Sequence, residues 1–144
     1  MKIRFVAFVF AGIAASTLAL ADDYVIDGPK TFRSRLVDGG LAGKQFNDAM
    51  AALGKPRYII SEQKERYWPR KRTVNLITLY WPNEHCDPVG IMFEAHDEKI
   101  AGIDDGFRCR KDGKALDLVE YDNDPVFKKC DQVKDKTLKR YCGR

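Results

Sequence analysis

The residues of this chain best suited to chemistry lie together in HCDPVGIMFEAHDEKI, residues 85–100, which holds both histidines, one cysteine and four carboxylates. Neighbouring side chains of an extended chain point to opposite sides, so His85 and Cys86 are not expected to share a metal ion. His96 lies eleven residues beyond His85, roughly 36 Å away at about 3.3 Å per strand residue. Neither His-x-x-x-His nor Cys-x-x-Cys spacing occurs, and both are typical of metal sites. We therefore predict no metal site and no cofactor.

Nucleophilic catalysis would need a serine, threonine or cysteine beside an activating base. Beyond residue 21 the only serines are Ser34 and Ser61, and neither lies in a Gly-x-Ser-x-Gly turn. The adjacent carboxylates at 97–98 and 104–105 are typical of solvated turns. The sequence predicts a protein without catalytic residues, and a small envelope hydrolase is the alternative from another functional class.

Residues 1–21, MKIRFVAFVFAGIAASTLALA, have the layout of a secretory signal peptide. Two basic residues precede an apolar run over residues 5–15, which is short for a membrane span, and Ala19-Leu20-Ala21 fits a cleavage site. Cleavage before Asp22 removes those basic residues and lowers the formal charge from +4 to +2. This weak charge argues against nucleic acid. We expect a periplasmic or secreted protein, with one domain over 22–144 and no transmembrane segment after cleavage.

Export to an oxidising compartment favours paired cysteines. If residues 96–99 form a hairpin turn, facing pairs step outward from Ala95 and Ile100, and Cys86 then faces Cys109 within disulfide reach. Cys130 and Cys142 would form the second bridge only if the chain folds back between them, because an unbroken helix holds residues twelve apart at about 18 Å. Pairings of the C-terminal cysteines with the sheet are the alternatives.

The hydrophobic pattern predicts an α+β fold: an N-terminal helix, an antiparallel sheet of four to five strands and a C-terminal helix, stapled by disulfides. Apolar residues at helical spacing precede Gly54 and Pro56, which favour a helix end there. A C-terminal helix is expected from Asp124-Pro125 onward, and residues 22–40 are expected to be a loose lead-in with one helical turn. Strands are predicted at 57–61, 73–81, 89–95, 100–104 and 116–121, with a polar connection over 62–72.

That connection contains the best candidate for a contact surface. Aromatic and basic residues combined on a loop are typical of protein interfaces, and a second tryptophan ends the following strand. The candidate binding residues are Tyr67, Trp68, Arg70, Lys71, Arg72 and Trp81. The alternative is that Tyr67 and Trp68 cover the edge of the core while the basic residues are solvated. Lysines of the C-terminal segment are a further basic feature. We interpret them as the solvated face of a helix, and weak contact with an anionic membrane surface or with an acidic protein is the alternative.

Several short motifs over about residues 39–103 resemble the SmpA/OmlA family, the small lipoproteins of the outer-membrane β-barrel assembly machine, which share a β-lactamase-inhibitor-protein-like fold. The motifs are Gly40-Leu41, Gln45-Phe46, Leu53-Gly54-x-Pro56, Trp68, Ile91-Met92-Phe93 and Asp97-Glu98-Lys99. The resemblance implies a helix followed by a β-meander and a non-catalytic module that binds another protein. The lipidated cysteine of that family is absent after the signal.

We therefore expect an exported module that scaffolds or modulates a cell-envelope protein. A secreted inhibitor of a hydrolase, presenting Tyr67 and Trp68, is the alternative within the binding class. A deep pocket combining a histidine with a carboxylate would instead favour the envelope hydrolase.

Overall fold

A computed structural model describes residues 23–143, which form seven strands and four short helices. The signal peptide predicted at 1–21 lies outside the described residues. The helices are α1 (Phe32–Gly40), α2 (Phe46–Leu53), α3 (Val119–Asn123) and α4 (Lys136–Tyr141). The strands are β1 (Tyr24–Ile26), β2 (Tyr58–Arg66), β3 (Arg72–Asn83), β4 (Cys86–Glu94), β5 (Ile100–Asp104), β6 (Arg108–Arg110) and β7 (Lys128–Lys129).

The strands form one antiparallel sheet in the order β1-β6-β4-β3-β2-β7, and β5 also pairs with β4. The α+β class and the antiparallel sheet are confirmed, but the sheet is larger than the four to five strands expected. None of the helices within residues 23–143 has the length and apolarity that crossing a membrane requires.

One face of the sheet carries the main core. Because side chains alternate along a strand, residues such as Ile59, Leu79 and Ile91 point to the same side and pack against α1, α2 and the C-terminal segment. Phe46 of α2 stacks on Phe93 at 5.3 Å between ring centroids, and Tyr141 meets both rings edge-on. This aromatic trio joins two helices to the centre of the sheet.

The predicted helix before Gly54 is present as α2. The N-cap of α2 is Gln45 rather than a Ser, Thr, Asp or Asn, and it forms a capping box with Asp48, whose carboxylate accepts from the Gln45 N–H. Gly54 has φ +83°, a conformation that favours glycine, and its N–H donates to the Met50 carbonyl to close the helix.

Three element predictions were wrong in part. The lead-in at 22–40 contains β1 and a full helix α1, whose first turn is capped by Thr31. Residues 116–121, predicted as a strand, end in α3. The C-terminal helix does not begin at Asp124: the chain pairs with β2 through β7, and a short helix begins only at Lys136, capped by Asp135.

Both favoured disulfides are present, Cys86–Cys109 and Cys130–Cys142. The hairpin register used to predict the first is shifted within β5, where Phe93 faces Ile100 and Met92 faces Gly102. A bulge near Phe93 and the turn before β6 compensate for this shift, so Cys86 still faces Cys109. The tail folds back between Cys130 and Cys142 because α4 starts after the bend, as the second pairing required.

Candidate binding site

The β2–β3 hairpin carries the predicted aromatic and basic residues. Its strands stay in register from Tyr58 opposite Tyr80 to Arg66 opposite Arg72, so five residues, 67–71, form the connecting loop. All residues from 61 to 73 are exposed. The connection predicted at 62–72 is thus mostly strand, and the hairpin carries its loop away from the core.

Two aromatic side chains of the loop face solvent. Trp68 is 86% exposed, the most exposed large apolar side chain among residues 23–143, and Tyr67 is 70% exposed. The Tyr67 hydroxyl donates to Glu65 Oε2 at 2.6 Å, and the Lys71 ammonium lies 5.7 Å from its ring centroid. The hydrogen bond to Glu65 raises the pKa of Tyr67, so its hydroxyl stays a donor at neutral pH. Tyr67 is therefore held by its neighbours, whereas the Trp68 indole is presented to solvent.

The loop is also basic. Arg66 and Arg72 both contact Glu94, at 3.5 and 3.1 Å, and the Glu94 side chain is only 14% exposed. Lys71 pairs with Glu65 at 3.5 Å. Arg70 has no ion-pair or hydrogen-bond partner among the residues that the structure describes. We call Tyr67, Trp68 and Arg70 the hairpin tip: two exposed rings beside a free guanidinium.

Trp81 does not belong to this tip, and its assignment as a binding residue is wrong. It is fully buried, and its Nε1–H donates to the Gly54 carbonyl oxygen at 2.8 Å. Its position in β3 places it on the same face as Leu79 and Ile77, which is the core face.

A second cluster, which the sequence reading missed, covers the other face of the sheet. Tyr58 and Tyr80 are cross-strand neighbours there, and Tyr121 and Phe127 pack on them with ring centroids 5.3–6.2 Å apart. Gly90 leaves room for the Tyr80 ring, which lies within 2.6 Å of where a Cβ would stand. The segment that includes α3 thus closes this face with an aromatic layer.

Carboxylates surround the phenols of this layer. Tyr58 donates to Asp122 at 2.8 Å, and Tyr121 donates to Asp87 at 2.8 Å. Burial and the neighbouring Asp104 raise the pKa of Tyr80 to about 12, and burial raises the pKa of Asp104. These phenols therefore remain protonated donors at neutral pH and are unsuited to act as bases there. Their arrangement favours a structural role.

The two histidines occupy separate places. His96 Nδ1 lies 3.2 Å from Glu94 Oε2 beside an open surface groove of about 390 Å³. A ring nitrogen of His85 and the sulfurs of Cys86 and Cys109 lie within 4.8 Å of one another. This is closer than expected for neighbouring residues whose side chains point to opposite sides of a strand. Those sulfurs are bonded to each other and so do not act as thiolate ligands. Within residues 23–143 neither imidazole is hydrogen-bonded to a hydroxyl or thiol.

Comparison of the chain with protein-family models, with curated proteins and with solved structures finds no match in any of the three. By its fold, the protein belongs to the class of disulfide-bonded α+β proteins with an antiparallel sheet.

We predict that Asp122→Asn destabilises the fold at neutral pH. Hydrogen bonding from Tyr58, followed by Arg57, lowers the pKa of Asp122. A carboxylate whose pKa is lower in the folded than in the unfolded chain stabilises the folded state at pH values above its unfolded-state pKa of about 4. This contribution is lost as the pH falls through the folded-state pKa. Urea midpoints of the variant should lie below those of the parent at pH 7 and approach them near pH 3.

The control is Glu84→Gln, which removes an exposed carboxylate with no hydrogen bond or ion pair from its side chain among residues 23–143. It should leave the urea midpoint nearly unchanged at both pH values. A pH-independent loss in Asp122→Asn would contradict the charge-linked role.

Proposed function

We propose that this protein is an exported, non-catalytic binding module whose hairpin tip contacts a cell-envelope protein. The observation that carries the proposal is the 86% exposure of Trp68 beside the unpaired Arg70. Tryptophan, tyrosine and arginine are the residues most enriched among those that dominate protein–protein binding energy. The two disulfides support export, because such bonds persist in oxidising compartments.

The surroundings of the tip favour binding over chemistry. A narrow loop on a two-stranded hairpin is convex, so it suits insertion into a recess rather than enclosure of a substrate. Glu65 holds both Tyr67 and Lys71, which lowers the entropy lost when a partner orders the loop. The free Arg70 guanidinium would pair with a carboxylate of the partner.

The same shape favours a second candidate, a secreted inhibitor of a hydrolase, in which the tip enters the enzyme's active-site cleft. The order of α2 followed by the β2–β3–β4 meander fits the layout that the SmpA/OmlA resemblance implies and supports an envelope partner. An envelope hydrolase is the third candidate, and the open groove beside His96 is where its chemistry would lie.

Affinity capture from envelope extract with the oxidised, signal-cleaved protein tests the proposal. We expect one dominant protein that is lost when Trp68 and Arg70 are both replaced by alanine. The matched control replaces the exposed Phe107 and Lys111 by alanine, which removes an aromatic and a cationic side chain elsewhere. Equal capture by both double variants would contradict the proposal, and the captured protein's class distinguishes a scaffolded partner from an inhibited hydrolase.

A further inference from the structure

The outer edge of β2 is a second surface, separate from the hairpin tip. β7 pairs with this edge only at Tyr58 and Ile59. From Ser61 to Glu65 the strand is exposed and has no pairing partner on that side within residues 23–143. An exposed strand edge offers unpaired backbone N–H and C=O groups that another strand can bind.

The side chains along this edge restrict which strand it accepts. Proteins often use charges to prevent edge pairing, and Glu62 and Lys64 stand here with Gln63 between them. Both charged side chains lie on the same face of the sheet, and they pair at 3.1 Å within the chain. The signs at 62 and 64 are opposite, so the edge is complementary to an inverted copy of itself.

Two-fold symmetry allows few alignments of this strand with its copy. An antiparallel pair related by a two-fold axis through the sheet must place one residue opposite itself. With Glu62 or Lys64 on the axis, identical charges meet, and like charges directly opposite are destabilising. With Gln63 on the axis, Glu62 faces the partner's Lys64 twice, and Ser61 faces the partner's Glu65. Of these three alignments, only the one centred on Gln63 avoids like charges.

We propose that two copies of this protein associate through residues Ser61–Glu65 of β2, antiparallel and with Gln63 on the two-fold axis. The two sheets then join with their core faces on the same side, because residues that face each other across an antiparallel pair lie on the same face. The two hairpin tips lie at opposite ends of the joined strands, each next to β7 of the partner, because this alignment places residue 67 opposite the partner's Ile59, which β7 pairs. The interface is independent of the proposed function, since it leaves Trp68 outside the paired segment.

Exchanging the charges at positions 62 and 64 tests the alignment centred on Gln63. Sedimentation equilibrium of the oxidised protein should show a dimer, and E62K and K64E should each raise its dissociation constant by about tenfold or more, because each creates two like-charge pairs. The double variant E62K/K64E restores opposite charges and should recover dimerisation. A monomeric parent protein, or a double variant as weak as the single ones, would overturn the proposal. Near-parental thermal midpoints in the variants establish that they fold.

Cross-linking tests the position of the axis. The structure has no free cysteine among residues 23–143, so an added thiol reports on the interface. Gln63→Cys should give a disulfide-linked dimer under mild oxidation, since the two copies of residue 63 face each other. Glu65→Cys is the control: its two copies are about 13 Å apart along the strand, beyond disulfide reach. Equal cross-linking at both positions, or none at 63, would overturn the alignment.

Discussion

Replacing Trp81 with alanine is expected to lower the free energy of unfolding by about 3–5 kcal/mol, whereas Trp68→Ala should change it by less than about 0.5 kcal/mol. Trp81 is fully buried between α2 and the sheet, and its indole N–H donates to the Gly54 carbonyl oxygen. Its removal leaves a cavity and breaks the tie between the helix end and β3. Trp68 has almost no contacts to lose.

Urea unfolding followed by circular dichroism measures both variants on one scale. We expect a much lower midpoint for Trp81→Ala and a near-parental midpoint for Trp68→Ala. The pair is a matched control, since each change removes one indole from the same chain. Similar losses in the two variants would contradict the assignment of one tryptophan to the core and the other to a contact surface.

The second large effect is expected from the disulfides. Replacing both Cys86 and Cys109 by serine should destabilise the protein by about 3 kcal/mol, as estimated from the loop-closure entropy of a bridge that spans 23 residues. Removing Cys130–Cys142, which spans 12 residues, should cost slightly less, because loop entropy rises only slowly with length. Both bridges lie in buried surroundings, so packing losses add to the entropy term.

The location of each bridge predicts where the chain opens. β6 is only three residues long, meets β4 at the Cys86–Cys109 pair, and supports β1. Amide hydrogen exchange in the first double variant should therefore increase most in β1 and β6, and in the second in residues 128–142. Uniform exchange over the whole sheet in both variants would contradict this separation.

The elements that sequence alone predicted well carry their own local signals. The end of α2 is set by Gly54, and β5 has the predicted bounds, because a turn sequence and alternating apolar residues frame it. The Cys86–Cys109 pairing followed from antiparallel register. It is kept although the register within β5 differs, because a bulge near Phe93 and the chain between Asp104 and Arg108 together compensate for the shift.

The elements that were missed depend on distant partners. The polar residues of β2 beyond Ser61 have no apolar alternation, and their strand conformation comes from pairing with β3. Asp124-Pro125 is a good helix start, but pairing of Lys128 and Lys129 with β2 and the bridge at Cys130 prevail over that local preference. The aromatic layer of Tyr58 and Tyr80 needed the register of two strands that the sequence did not align.

Within the candidate site, too, some residues were predictable from local sequence and others depended on distant partners. The hairpin tip was predictable from composition, because aromatic and basic residues around a proline indicate an exposed loop. Trp81 was wrongly added because it ends a strand near another loop, and apolar residues on both faces of that strand did not indicate which face is the core. Whether a given tryptophan is exposed depends on which helices cover the strand, and single-chain patterns do not supply that information.

Site-specific photo-cross-linking tests the central claim, that the hairpin tip is the protein's contact surface, most directly. A photoreactive benzoylphenylalanine at position 68 should link the protein to one dominant envelope protein in intact cells. The same residue at position 107, which is also an exposed aromatic position, should not give that adduct. The same adduct from both positions, or none from position 68, would contradict the assignment of this hairpin as the binding site.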